Sequence, residues 1–271
     1  MRLIETRGAK IGQCNICGDV GNLTEDHTPP KGCVKIGAVQ LHYITERLNV
    51  GRTKTKGRIS QNGIKYKTLC AHCNNTMLGA NYDPPFIDFV NRISSILKSD
   101  LYLPGVMPIK TKPQRVMRSL LGHLSAQGVN GYGKGEFTEP IRDYILDETK
   151  PLPDSLKIYF WLYPFRHNIM ARDCAYKDFQ FSEHVLIWFL KFYPVAFMVT
   201  FNEPDSYTFP FPFYCLSSWG QEQIDFEMDV QIDRRNIPPE DWPETPSNHS
   251  QTLRVYGQEA IVSFRHEKKK T

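Results

Sequence analysis

Two cysteine pairs stand at metal-ligand spacing, Cys14-Asn15-Ile16-Cys17 and Cys70-Ala71-His72-Cys73. A turn of this length puts two sulfurs on one side of a knuckle, and two such knuckles make a tetrahedral thiolate cage for Zn²⁺. A cage of four thiolates leaves the metal no open position, so the expected role of this zinc is structural. Asp26-His27, followed by Pro29 and Pro30, suits a different chemistry, and Asn74-Asn75 follow the second pair directly. Closing the cage brings the two segments near each other. Carboxylate and amide oxygens from Asp26 and Asn74, or Asn75, suit Mg²⁺ or Mn²⁺. His27 is then available as a general base near neutral pH. Cys33, Cys174 and Cys215 read as ordinary buried thiols, with Cys33 a substitute ligand.

These residues need elements to hold them. Gly57–Cys70 reads as a β-hairpin: Ile59, Ile64 and Tyr66 alternate with polar residues, and Asn62-Gly63 is a tight-turn signal. A short helix is expected from about Asn74. A second covers Pro84–Asp100, with Phe86, Phe89, Val90, Ile93 and Ile96-Leu97 at helical spacing. Leu103–Pro113 is punctuated by prolines, and Gln114–Gly128 reads as a helix ended by Gly128. Strand-like runs rich in aromatic and β-branched residues follow, beginning at Leu156, Asn168, His184, Ala196, Pro212 and Thr252. This order predicts an α+β chain in two parts: residues 1–100, carrying the zinc unit and a linking helix, and residues 101–271, an α+β domain with a mainly antiparallel sheet.

Charge is unevenly placed. Residues 1–100 hold 14 Lys and Arg against 8 Asp and Glu, and the remainder 19 against 21. Arg47, Arg52, Lys54, Lys56, Arg58, Lys65 and Lys67 cluster with no acid among them, as a backbone-contacting nucleic-acid surface would. Lys110, Lys112, Arg115 and Arg118 could extend the track. The other histidines, His42, His123, His167 and His184, read as structural, and His72 as solvent-facing. Val185–Phe201 is the most apolar run, but Lys191 and Pro194 interrupt it and it is shorter than the roughly 20 residues of a membrane span. No signal-peptide pattern opens the sequence, and the odd count of seven cysteines argues against a disulfide framework. The expectation is a cytoplasmic protein that does not enter the membrane.

The strings CNIC, DHTP and LCAHCN, with CNNTMLGANYD carrying Gly79 and Asp83, resemble the HNH endonucleases over roughly residues 12–85. The resemblance implies a ββα-metal unit with a zinc knuckle and metal-dependent hydrolysis of DNA, RNA not being excluded. It assigns His27 as general base, Asp26 as a ligand of the catalytic Mg²⁺ or Mn²⁺, and Asn74 as the ligand from the helix, with Asn75 the alternative. The family's middle Asn, expected a few residues before the second cysteine pair, is absent: that stretch reads IKYKTL. The family's biology implies restriction, homing or antiphage defence, with residues 101–271 serving target choice, regulation or association as a homodimer or with a protein partner. The competing reading is a catalytically silent zinc module that binds nucleic acid or a protein.

Overall fold

The computed structural model describes residues 4–48, 57–133, 137–178, 184–205, 207–244, 252–257 and 260–265. In chain order the elements are β1 (Ile11–Gln13), β2 (Val20–His27), β3 (Val39–Tyr43), α1 (Ile44–Leu48), β4 (Arg58–Ser60) and β5 (Lys65–Cys70). A π-helix (His72–Tyr82) runs directly into α2 (Asp83–Leu97), followed by β6 (Val106–Thr111), α3 (Pro113–Ala126) and α4 (Thr138–Leu146). Then come β7 (Leu156–Leu162), β8 (Asn168–Asp178), β9 (His184–Phe192), β10 (Val195–Phe201), β11 (Tyr214–Cys215), β12 (Met228–Asp233), β13 (Thr252–Val255) and β14 (Ile261–Arg265).

The chain is a mixture of helix and mainly antiparallel sheet, as the α+β reading expects. β1-β2-β5 form a small sheet and β12-β6 a two-stranded one. The large sheet has the order β11-β7-β10-β9-β8-β14-β3-β4, with β13 also paired to β8. It therefore draws strands from both sides of residue 100. Its central strands are buried on both faces, which is why they read as continuous apolar runs rather than alternating ones. Helices α2, α3 and α4 cover one face over Phe160, Phe192, Phe197 and Phe201. The other face carries Trp161, Tyr163, Phe189 and Met198 beneath Tyr207 and Trp242. The aromatics after residue 155 are thus largely core. The apolar run Val185–Phe201 folds as the antiparallel pair β9–β10. Among the described residues no helix is long and apolar enough to cross a membrane.

One expectation is corrected. Asn62-Gly63 does form a turn, with Ser60 Oγ donating to the Gly63 carbonyl, but β4 and β5 are not partners. β4 pairs with β3 in the large sheet and β5 pairs with β2 in the small one. Tyr66, Thr68 and Leu69 of β5 are buried alongside β2, whereas Ile59 of β4 faces solvent, so the turn passes the chain between sheets. The proline-punctuated stretch Leu103–Pro113 contains a strand, β6. Pro108 is tolerated there because a two-stranded sheet leaves each strand an edge without a ladder partner.

α3 is the hub. Every residue of it except Arg115 is buried. A Cβ on Gly122 would lie 2.3 Å from Leu78 Cδ2, so glycine is what lets α3 and the π-helix approach this closely. The carbonyls at its C-terminal end, which lack helical donors, are met from three directions. Asn15 Nδ2 donates to Ser125 and Gly128, Thr68 Oγ1 to Ala126, and Arg172 Nη1 to Ser125 and Gln127. Asn15 lies between the cysteines of the first pair, so the first knuckle is docked onto α3.

Candidate functional site

The four cysteine sulfurs converge. Cys14, Cys17, Cys70 and Cys73 Sγ all lie within 4.8 Å of one another, and Cys17 and Cys70 are 3.7 Å apart. Tetrahedral bonds of about 2.3 Å to Zn²⁺ would separate the sulfurs by roughly 3.8 Å, so the set fits a metal ion such as zinc. Backbone amides support the sulfurs: Cys70 N–H donates to Cys14 Sγ and Cys73 N–H to Cys70 Sγ. The first knuckle closes through Gly18, at φ +82°, whose N–H donates to the Cys14 carbonyl. A hydrogen bond from Cys73 lowers the Cys14 thiol to about 4. Burial pushes Cys17 up to about 12, and the bond to Cys14 together with burial raises Cys73. Crowded thiols therefore share little charge by themselves; a divalent cation at their centre would favour the thiolate in all four. Cys33 is not part of this cluster among the described residues, and burial raises its thiol.

From this cluster β2 and β5 run antiparallel, with Leu23 opposite Cys70 and His27 opposite Lys65. The register shifts at Thr24/Glu25. The extra residue there is Thr68, on β5; Leu23 and Asp26 of β2 are both buried, Asp26 only 2% exposed. The π-helix starts beside them. Its buried residues, Cys73, Leu78 and Tyr82, are spaced by the wider π turn rather than by an α period. Asn74, in its first turn, donates from Nδ2 to Thr24 Oγ1 (2.9 Å) and to the Glu25 carbonyl (3.1 Å). The helix is thus tied to the strand one residue before Asp26. Asn75 is exposed. His27 is half-buried, and its Nε2 is buried with no hydrogen-bond partner among the described residues. Burial, followed by the nearby Lys31, holds its pKa below the usual histidine value, so the ring is mostly neutral at pH 7.

His123, read from sequence as structural, projects from α3 between two acids of this region. Its Nδ1 lies 2.9 Å from Asp26 Oδ2 and its Nε2 2.9 Å from Asp83 Oδ1. Ser119 Oγ donates to Asp83 Oδ1 (2.8 Å) and Thr28 Oγ1 to Asp26 Oδ2 (3.2 Å). Both bonds to Asp26 fall on Oδ2; Oδ1 makes none among the described residues. Burial opposes charge on His123, but Asp26 and Asp83 outweigh it and raise its pKa to about 10. Burial likewise opposes charge on Asp83, and His123 and Ser119 outweigh that, lowering its pKa. The sequence cue to His123 is its place four residues after Ser119 on α3.

This pairing makes stability depend on pH. The unfolded histidine titrates near 6.5, so the His123 contribution is complete below about that pH and is lost as pH rises through about 10. The Asp83 contribution is lost on the acid side, as pH falls below about 4. Between pH 7 and 10 the thermal midpoint is expected to fall more steeply in the native protein than in His123→Gln. Equal slopes would contradict the pairing.

The basic cluster is more neutralised than its composition suggests. Lys65 pairs with Glu25 at 2.5 Å, and Arg7 with the same carboxylate at 3.3 Å. Arg58 donates to the Ile4 carbonyl, and Lys67 is partly exposed on β5. Arg52, Lys54 and Lys56 lie outside the described residues, as does the side chain of Arg47. The extension of the track is corrected. Lys110 pairs with Glu227, and Lys112 and Arg115 pair with Asp225. Arg118 is buried, donating to the carbonyls of Asp147, Glu148 and Lys150 and lying over the Tyr144 ring.

No protein-family model matches the chain, and no similar curated protein or solved structure was found.

Proposed function

We propose that the chain is a metal-dependent endonuclease of the HNH type, acting on DNA phosphodiester bonds, RNA not being excluded. One observation carries this reading. β2 ends in Asp26-His27, β5 returns antiparallel to it, and the following helix is tied by Asn74 to the strand just before Asp26, all around one four-cysteine cluster. That strand–strand–helix order is what the resemblance implies for a ββα-metal unit.

In this reading the cysteine cluster holds structural zinc. A second, harder ion would be held by Asp26, whose Oδ1 makes no hydrogen bond among the described residues, and by Asn74, oxygen donors of the kind that suit Mg²⁺ or Mn²⁺. Such an ion, when bound, would neutralise charge on the phosphate and its leaving oxygen. His27 accepts the proton of the attacking water, with Nε2 uncommitted to any protein partner. Lys31 and Lys67 add positive charge near the strand, and such charge favours a polyanion. One unit cuts one strand, so a double-strand break requires a homodimer or two successive nicks. Roles in restriction or antiphage defence, cytoplasmic location and partner docking through residues 101–271 belong to the same proposal.

A silent zinc module that binds nucleic acid is the second reading, favoured by the burial of Asp26 in its contact with His123. Plasmid nicking with and without Mg²⁺ or Mn²⁺ separates the two. The proposal expects metal-dependent nicking that falls at least about 100-fold in His27→Ala, in line with the loss of a general base, while DNA binding is retained. Salt-sensitive binding with no nicking under either metal would favour the silent module.

A further inference from the structure

We infer that His123 is a positioning residue that sets which oxygen of Asp26 is presented to a hard divalent cation. The inference rests on the endonuclease reading and adds to it a residue from outside the region of resemblance.

The argument begins with the number of bonds. Asp26 is almost fully buried, and a buried carboxylate left without fixed partners has no reason to hold one orientation. Here Oδ2 takes both His123 Nδ1 at 2.9 Å and Thr28 Oγ1 at 3.2 Å. With that oxygen saturated, rotation about Cβ–Cγ would break two bonds at once. The carboxylate is therefore fixed with Oδ1 as its remaining donor. The ring of His123 is fixed in turn. Asp83 Oδ1 holds Nε2 at 2.9 Å, and Ser119, one turn earlier on α3, holds that same oxygen at 2.8 Å. A ring bonded at both nitrogens to acceptors on opposite sides cannot flip without losing both.

The parts come from three places: Asp26 from the end of β2, Asp83 from the start of α2, and Ser119 and His123 from α3. α3 is also the helix onto which the first cysteine knuckle is docked through Asn15. The same rigid element thus sets the position of the knuckle and the direction of the carboxylate. A partner that holds a metal ligand in place is typically worth 10–100-fold in metal affinity.

The geometry permits a test that a merely structural histidine would not pass. In a His→Asn change the side-chain amide stands near Nδ1, and in a His→Gln change near Nε2. His123→Asn therefore keeps a donor toward Asp26, while His123→Gln keeps one toward Asp83 and loses Asp26. The experiment titrates Mn²⁺ into the full chain with its cysteine-bound metal retained. Free Mn²⁺ is read by electron paramagnetic resonance, and the melting temperature of each variant is recorded. The expected result is Mn²⁺ binding by the native chain, abolished in Asp26→Asn, weakened about 10–100-fold in His123→Gln, and restored to within a few-fold of native in His123→Asn. Should the Gln variant fail to fold, Asp83→Ala, which frees the far side of the ring, must weaken Mn²⁺ in the same direction. Native affinity in folded His123→Gln or Asp83→Ala overturns the inference and leaves the endonuclease reading standing. So does equal impairment of the Asn and Gln variants. A native chain that binds no Mn²⁺ overturns both.

Discussion

Stripping the metal from the cysteine cluster is expected to unfold the small sheet and the start of the π-helix. The cluster joins the turn between β1 and β2 to the junction of β5 and the π-helix. Beneath it Ile16, Leu23 and Leu69 are buried, and the three strands over them are short. Structural zinc contributes about 10–16 kcal/mol of apparent binding free energy in small zinc modules. A whole domain is stable by only about 5–15 kcal/mol. Chelation is therefore expected to release one zinc per chain, to lower the melting temperature by tens of degrees, and to broaden or split the transition as the large sheet outlasts the small one. Cys73→Ser should do the same without a chelator. The checks are metal content by elemental analysis and melting by circular dichroism. A protein that purifies without metal and melts as a chelated sample does would refute the cage.

Removing Lys191 is the second large effect expected. This lysine interrupts the most apolar run of the chain and is completely buried. Its ammonium has three donors, and all three are used: toward the Glu240 carbonyl (2.6 Å), the Trp242 carbonyl (2.7 Å) and Glu244 Oε2 (2.7 Å). The Tyr163 ring lies 4.8 Å away. Breaking a buried ion pair from one side leaves an uncompensated charge, at a cost of about 3–5 kcal/mol. Lys191→Ala should lose that much in urea denaturation. Lys191→Met with Glu244→Leu should recover only the part owed to the unpaired carboxylate, because the Glu240 and Trp242 carbonyls still lose their donor. A single variant as stable as the native chain would show that Glu244 is not held by this contact.

The cysteine cage was legible because its ligands are local: each pair is a turn, and only the meeting of two turns had to be inferred. α2 was legible for the same reason, its buried Phe86, Phe89, Val90 and Ile93 repeating at one period. Asn74 follows the second cysteine pair directly, and its bonds to Thr24 and the Glu25 carbonyl tie it to β2. What escaped the sequence is non-local. A strong turn at Asn62-Gly63 says nothing about which strand β5 will choose. The bulge at Thr68, which leaves Thr68 and Leu69 both buried on β5, is a break that alternation cannot reveal. His123 reaches Asp26 across 97 residues of sequence, and no spacing rule connects them. The acid that pairs with both Lys112 and Arg115, Asp225, comes from a loop just before β12, more distant still. The helix α4 carries a proline in its first turn and had no apolar stripe long enough to stand out.

The route of the chain through the large sheet has a consequence for biosynthesis. β3 leaves the neighbourhood of the cysteine cluster to pair with β14, Tyr43 opposite Ile261 and Val39 opposite Arg265. On the ribosome, the segment holding both cysteine pairs emerges early and can capture its metal. β3 and β4 then have no sheet to join until β14 has been translated, and long-range pairings of this kind form slowly. The nascent chain thus carries both cysteine pairs with an unclosed loop of strands beside them. That interval is when a chaperone would be needed, and a fragment ending near residue 100 would never leave it.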